Sequence, residues 1–428
     1  MRSTVRIRSR AYTLFLLEIP TRLSSSLNLH QFSNFFPYNG FEPQLFYKPI
    51  LVITMSEIKT NPGTKKFDLI VVYLERNAKS ASGNSSTPFF GKRSGYNDSY
   101  SYFLKKCKKL GIKACLSTSK DIIGPGLLQS YWTYSGQWEK HLDKAYSKFI
   151  FSKFTPDNAG QKKRKKLLRS NEKIYVPNRK IEKLFRDKQL THEIFEDYSI
   201  PTIKIDDLSK KSIYEAKNKL DKILDKHMNK DDFNEEYIIK DQHGAGGMGI
   251  LKVNLKEGDL SAVEKQQKQD IASGIEAKYI LQPFIDCEKG FVFGKHSGLI
   301  DLRVILINHK IKQTYIRIAK KGEFKCNEHQ GGNLVYKDKN ILPVDVIKAT
   351  KEISKKIASI SSSAIYALDF IRSNEGNLYF IEGNSKPGID WNPDKKINEV
   401  KSKELISMIV NQLDGIIEQR KTLIKVVA

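Results

Sequence analysis

The sequence predicts an α/β chain of α+β character, a small α/β domain followed by a larger region of strands and long helices. Two observations predict it. Residues 67–116 read as strand, helix, strand, the β-α-β signature of an α/β domain. Past residue 237 the chain alternates short apolar strands with turns and is interrupted by long stretches of helical period.

The elements follow in order. Residues 67–75 form a continuous apolar run ending in charge, as expected of a strand buried on both faces. After a Gly- and Ser-rich loop, residues 100–110 carry Phe103, Leu104, Cys107 and Leu110 at helical spacing, and Gly111 stops the helix. Residues 112–116 read as the next strand. Tyr131, Trp132, Tyr134 and Trp138 stand close together and are expected to pack a core rather than stack on bases. A helix over 180–198 precedes Pro201, a strand covers 202–205, and 209–227 has helical period. Further helices are expected at 344–361 and 402–418.

Composition sets bounds on this reading. The 428 residues allow roughly two to three domains, and 39% hydrophobic with 10% aromatic content excludes wholesale disorder. No stretch of eighteen or more apolar residues occurs, so no helix is expected to span a membrane. The net charge of +25 favours anionic partners. Its lysines are scattered, so a dedicated nucleic-acid surface is not expected, and the run Lys162-Lys163-Arg164-Lys165-Lys166 reads as a solvated linker. Cys107, Cys115, Cys287 and Cys326 form no CxxC pair, which argues against a zinc site or a disulfide framework and fits a reducing cytoplasm. Residues 1–54 are Ser- and Arg-rich, the flavour of a transit peptide. We read them instead as a disordered or mis-assigned start, because Met55-Ser56-Glu57 begins more typically. The expected division is an extension over 1–54, an α/β domain over 55–160, a basic linker over 161–180, and two subdomains over 181–280 and 281–428.

Two features carry chemistry. The strand Glu236-Tyr237-Ile238-Ile239-Lys240 runs into Asp241-Gln242-His243-Gly244-Ala245-Gly246-Gly247-Met248-Gly249, and a strand resumes at Ile250. A dinucleotide fingerprint would open a helix and a Walker A loop would end in Gly-Lys-Ser/Thr. Strand–flap–strand remains, a lid over phosphates with Lys240 placed to reach them. Near the carboxyl end Asp369 and Glu382 lie in two apolar strands joined by a turn, where an acid is costly to bury unless it is paired or holds a metal. A hairpin sets them opposite one another, and Asn384 shares the face of Glu382 by the period of two. Three oxygen donors on one face suit magnesium. Between lid and acids, Asp301 and Arg303 share one face of the strand 300–306, and Arg317 follows. Arginines beside a metal site would clamp a carboxylate or phosphoryl group.

In their order these segments resemble the ATP-grasp superfamily, and within it the RimK and glutathione-synthetase-like branch. The series is Asp187-Lys188, Ile239-Lys240 with the glycine lid, Gln282-Pro283-Phe284-Ile285, Asp301 to Arg303, Arg317, Gly322-Glu323-Phe324 through Asn327 to Gly331-Gly332, Asp369, and Glu382 to Asn384 with Pro387-Gly388. It covers roughly residues 181–416. The resemblance implies an ATP-grasp fold of two α+β subdomains gripping ATP, preceded by a small α/β domain. It implies that Lys188 and Lys240, with Gly246 and Gly247 of the lid, contact the nucleotide, and that Gln282, Phe284 and Ile285 form the hinge along the adenine, with Asp301 beside them. Arg303 and Arg317 would hold the transferred phosphoryl group. Asp369, Glu382 and Asn384 would bind one or two Mg2+ ions, with Mn2+ as a substitute. The loop 327–333 would border the substrate.

The activity so implied is ATP-dependent ligation of a carboxylate to an amine through an acyl phosphate. The substrates would include an amino acid or a peptide or protein terminus, and a homo-oligomer is compatible with all of this. The alternatives are a kinase on the same scaffold, with a phosphorylated or hydroxylated small substrate, and a catalytically silent nucleotide- or polyanion-binding protein. The sequence departs from the family at Pro283, which removes a hinge donor, and at Gly383, which replaces an apolar residue between the ligands.

Overall fold

The structure is a computed structural model that describes residues 63–74, 88–153, 166–167, 174–176, 178–244, 249–273, 277–328 and 331–427. The extension 1–54, residues 161–165 of the basic linker, and Gly246 and Gly247 of the lid lie outside the described residues.

The amino-terminal part contains β1 (Lys65–Lys66), β2 (Leu69–Tyr73), α1 (Ser94–Lys109), β3 (Ala114–Thr118), β4 (Ile122–Gly124), β5 (Leu127–Leu128), β6 (Tyr131–Tyr134), β7 (Trp138–His141), β8 (Ala145–Tyr146), β9 (Phe149–Ser152) and β10 (Ile174–Val176). A six-stranded sheet has the order β10-β9-β2-β3-β6-β7, and a small sheet the order β1-β8-β5-β4. Strand β2 pairs in parallel with both β3 and β9, so the expected β-α-β unit is present with β2 at its centre. All five residues of β2 are buried, as the unbroken apolar run requires. Helix α1 starts earlier than its apolar period shows, because its first turn is small and polar yet packed. The four aromatics form the β6–β7 hairpin, and Trp132 and Trp138 join the core against Phe89.

Next come α2 (Arg179–Arg186), α3 (Lys188–Ile194), β11 (Ile203–Ile205), α4 (Lys210–Leu224), β12 (Phe233–Asp241), β13 (Ile250–Asn254), α5 (Ser261–Ser273) and β14 (Tyr279–Ile285). The single helix expected over 180–198 is two helices. Asp187 ends α2 in extended backbone and caps α3, its side chain accepting from Leu190 N–H. Strands β11-β14-β12-β13 form an antiparallel sheet. One face packs on α4 through Ile213, Ala216 and Leu220. Strands β12 and β13 are neighbours, so the glycine loop joins two paired strands as expected.

The last part holds β15 (Ile300–Ile307), β16 (Lys310–Ile318), β17 (Asn333–Lys337), α6 (Val344–Ile360), β18 (Ile365–Arg372), β19 (Leu378–Asn384) and α7 (Lys396–Val427). The sheet order is β17-β16-β15-β18-β19, antiparallel throughout. Alternate residues of β15 go to opposite sides. Leu302, Val304 and Leu306 join the core under α6, while Ile305 and Ile307 join the core shared with α7 and the amino-terminal sheet. Among the described residues no helix is long and apolar enough to cross a membrane.

Candidate active site

The five-stranded sheet places charge in a row. Asp301 on β15 faces Arg317 on β16, Arg303 on β15 faces Asp369 on β18, and Asp369 faces Glu382 on β19. Cross-strand neighbours share a face, and a register shift between Asp369 and Phe370 sets Glu382 opposite Asp369, which brings these five side chains together. Arg317 donates from Nε to Asp301 Oδ1 at 2.7 Å and from Nη2 to Asp301 Oδ2 at 2.6 Å. Its Nη2 also donates to Asp369 Oδ2 at 2.8 Å. Arg303 donates from Nε to Asp369 Oδ1 at 2.6 Å and from Nη2 to Oδ2. The partner of Asp301 is therefore Arg317 across the ladder, not Arg303 along the strand.

Asp301, Arg303, Arg317 and Asp369 are all buried. Burial pushes the carboxyl of Asp369 up, but the two guanidiniums outweigh it and hold its pKa below the usual range. Asp301 shifts the other way, raised by burial more than Arg317 lowers it. Three carboxylates against two guanidiniums leave one negative charge on this face, that of Glu382. Its carboxylate is half-buried, 3.6 Å from Arg303 Nη2.

Opposite this charge stand two lysines. Lys240 is the penultimate residue of β12 and only 8% exposed, and among the described residues its Nζ makes no hydrogen bond or ion pair. Burial, and then Lys188, pull its pKa down to about 7 against the opposing pull of Glu382. Lys188 opens α3, and its Nζ donates to the carbonyls of Asp241, at 3.1 Å, and Gly244, the first residues of the lid. Its pKa is lowered by burial and raised by Glu382. A cleft of about 100 Å³ is lined by Lys188, Gly244, Glu382, Asn384 and Arg186, among others.

The residues expected to form the hinge lie on β14. Gln282 is 2% exposed and donates from Nε2 to Thr202 Oγ1 at 2.6 Å and to His192 Nε2 at 3.1 Å. Phe284 lies 3.7 Å beneath Lys252 Nζ, and Ile285 packs with Ile200 and Tyr379. Asn384 Oδ1 accepts from Lys386 N–H at 2.8 Å. Gly383 is explained by its neighbour: a Cβ there would meet the Phe185 ring of α2 at 2.1 Å. The glycine between the two donors lets α2 close on the strand.

Sequence reasoning missed three residues. His192 is buried against Gln282, and burial, then Lys240 and Lys188, lower its pKa and keep it neutral. The spacing Lys188 to His192, one helical turn, was the available signal. Arg186 lines the cleft one residue before the Asp-Lys pair. Lys386 forms a buried ion pair with Glu182, tying the loop after β19 to α2, and nothing in the sequence announces it.

Residues 185–409 match the RimK-like ATP-grasp domain family. A probable alpha-L-glutamate ligase of Xanthomonas oryzae pv. oryzae is 28% identical over 154 residues, 36% of this chain and 44% of that protein. A protein of the same name from Pseudomonas savastanoi pv. phaseolicola is 26% identical over 180 residues, 41% of this chain and 50% of that protein. The chain thus spans about half the length of these relatives. Among solved structures, D-alanyl-alanine synthetase A from Vibrio cholerae superposes with a TM-score of 0.49 at 14% identity, over 81% of this chain and 98% of that one.

Proposed function

The chain belongs to the RimK-like ATP-grasp family, and from that premise we propose that it is an ATP-dependent carboxylate–amine ligase working through an acyl phosphate. The observation that carries the reading is the buried ammonium of Lys240, without a partner among the described residues, opposite the carboxylate row. A buried cation without a partner is costly. A phosphate group beside it removes that cost, so the site is suited to an anion.

The same row is suited to magnesium. A carboxylate offers about four acceptor positions. Asp369 uses three of them on guanidinium groups, which leaves one. Glu382 pairs loosely with Arg303 Nη2 at 3.6 Å and lies beside Asp369, and Asn384 Oδ1 accepts one hydrogen bond. Three oxygen donors with room to spare fit a hard cation that retains water and phosphate ligands. Asp369, Glu382 and Asn384 would hold one or two Mg2+ ions, with Mn2+ as a substitute. Magnesium bound there would neutralise charge on the phosphates.

Every other task falls to the chain's own residues. Lys240 and Lys188 bind the phosphates, and Lys188 also ties down the lid whose glycines Gly246 and Gly247 would close over them. Phe284 and Ile285, with Gln282 behind them, flank the base. Arg303 and Arg317 are rigid because each is clamped by a carboxylate, and Asp301 acts by positioning Arg317. Preorganised guanidiniums stabilise the charge that develops as the γ-phosphoryl group moves to the substrate carboxylate. The amine then attacks the acyl carbon, phosphate departs, and the nitrogen loses its proton.

We read the division of labour as an amino-terminal domain over 55–160, a linker over 161–180, and subdomains over 181–280 and 281–428. The four cysteines are buried and free, which supports the cytoplasm as the place of action. The substrates are ATP, a carboxylate and an amine. Incubation with ATP, Mg2+ and mixed amino acids tests the reading. ADP, phosphate and an amide product are expected. A phosphorylated hydroxyl product would favour a kinase, and no turnover a silent binding protein.

A further inference from the structure

The hydrogen bonds around Gln282 have a direction that fixes three side chains at once. Thr202 Oγ1 donates to the carbonyl of Ile200 at 2.7 Å, so toward Gln282 it can only accept. The Gln282 group 2.6 Å from it is therefore the NH2 and not the oxygen, and a second N–H of that group points to His192 Nε2 at 3.1 Å. His192 accepts there with the Nε2 lone pair and carries its proton on Nδ1. No other bond competes to set the tautomer, because Nδ1 meets no partner among the described residues. Burial, then Lys240 and Lys188, lower the pKa of the ring, so the lone pair persists at neutral pH.

With both N–H bonds of its amide taken, Gln282 has its oxygen left over. Oε1 accepts no hydrogen bond among the described residues, and it is not fully enclosed. Strand β14 runs antiparallel to β12 with Ile280 opposite Lys240 and Gln282 opposite Ile238. Cross-strand partners and second neighbours share a face, so Gln282 stands on the face of Lys240. Tyr237, Ile239, Tyr279 and Leu281 fill the other face against α4. A nucleotide whose phosphates meet Lys240 has its base within reach of Gln282, about 7 Å farther along the strand.

We propose that His192, with Thr202, is a positioning residue that holds the Gln282 amide with its oxygen toward the base, and so selects a 6-amino purine over a 6-oxo purine. The proposal rests on the reading of β14 as the base-binding hinge. The 6-amino group of adenine donates to a free Oε1, whereas the 6-oxygen of guanine or hypoxanthine is a second acceptor and is repelled by it. An amide turned over would present N–H to the base and favour the 6-oxo purine. Two locks oppose that turn. Thr202 would have to release Ile200 to donate to Oε1, and Oε1 would face the lone pair of His192 Nε2. Removing the acceptor of His192 opens one lock and lets the amide suit either base.

The test uses the full chain and isothermal titration with ATP and with ITP, each with Mg2+. ITP differs from ATP at ring position 6 and in the N1 proton that follows from it. The unaltered protein is expected to bind ATP about tenfold or more tightly than ITP. His192→Met, which keeps bulk but offers no comparable acceptor, should lower that preference about fivefold or more by weakening ATP and strengthening ITP. His192→Gln places an amide oxygen near the position of Nε2 and should retain the preference. If His192→Met fails to melt cooperatively, Thr202→Val takes its place with the same expectation, because it removes the other acceptor. A folded variant that keeps the preference, or that loses affinity for both nucleotides alike, overturns the positioning role while the hinge reading stands. Loss of the preference in a folded His192→Gln also overturns it, since packing and not the acceptor would be the cause. An unaltered protein that binds ATP and ITP equally overturns the hinge reading as well.

Discussion

Replacing Lys240 by Met removes a buried ammonium that has no partner in the described structure. Its pKa falls from 10.5 to about 7 on folding, chiefly through burial. Each unit corresponds to about 1.4 kcal/mol, so the charged lysine costs the fold about 5 kcal/mol at low pH and about 4 kcal/mol at pH 7, before any relaxation. Between pH 7 and 10.5 the unfolded chain binds more protons at this site than the folded one. Stability therefore rises with pH across that window and is lost as pH falls to 7. The Met variant lacks this term. Without nucleotide it should be more stable than the parent, by about 2–4 kcal/mol near pH 7 once relaxation is allowed for, and the gap should close toward pH 10.5. With ATP and Mg2+ the order should reverse, because only the parent gains a phosphate contact. Urea denaturation at pH 6, 7, 8 and 9.5, with and without ATP and Mg2+, measures both effects. A variant no more stable than the parent at pH 7, or one that gains equally from ATP, would refute the reasoning.

Two further outcomes are expected. Glu382→Gln removes the one uncompensated carboxylate of the row. The protein should stay folded and lose both Mg2+-dependent stabilisation by ATP and turnover, whereas a purely structural residue would cost only about 1–3 kcal/mol and leave turnover intact. Gly383→Ala drives a methyl group into the Phe185 ring and should lower stability by about 1–3 kcal/mol, visible as a reduced Tm. Phe185→Leu in the same chain should restore part of that loss, and its failure to do so would remove the contact as the cause.

The hairpin carrying Asp369 and Glu382 was legible as two apolar strands joined by a turn, but turn length alone would set Asp369 against Ile381, and the two acids pair because the register shifts between Asp369 and Phe370. The β-α-β unit was legible for a similar reason, since a buried parallel strand is an unbroken apolar run. The break at Asp187 was not, because no Pro or Gly marks it and only a side-chain cap ends one helix and begins the next. The pairing of Asp301 with Arg317 escaped because neighbours across a ladder cannot be known before the strand order is. Gly383, which as a sequence departure has no visible cause, becomes necessary once Phe185 is in place.

The central claim is that ATP activates a carboxylate before the amine attacks, and an isotope label follows that event directly. The protein is incubated with ATP, Mg2+ and an amino-acid mixture in which every carboxylate carries 18O, and the released phosphate is analysed by mass. An acyl phosphate leaves one carboxylate oxygen on the departing phosphate, so each phosphate formed by ligation of a labelled carboxylate should carry one 18O atom. ADP formed together with unlabelled phosphate, or with a phosphorylated hydroxyl product, would contradict the account.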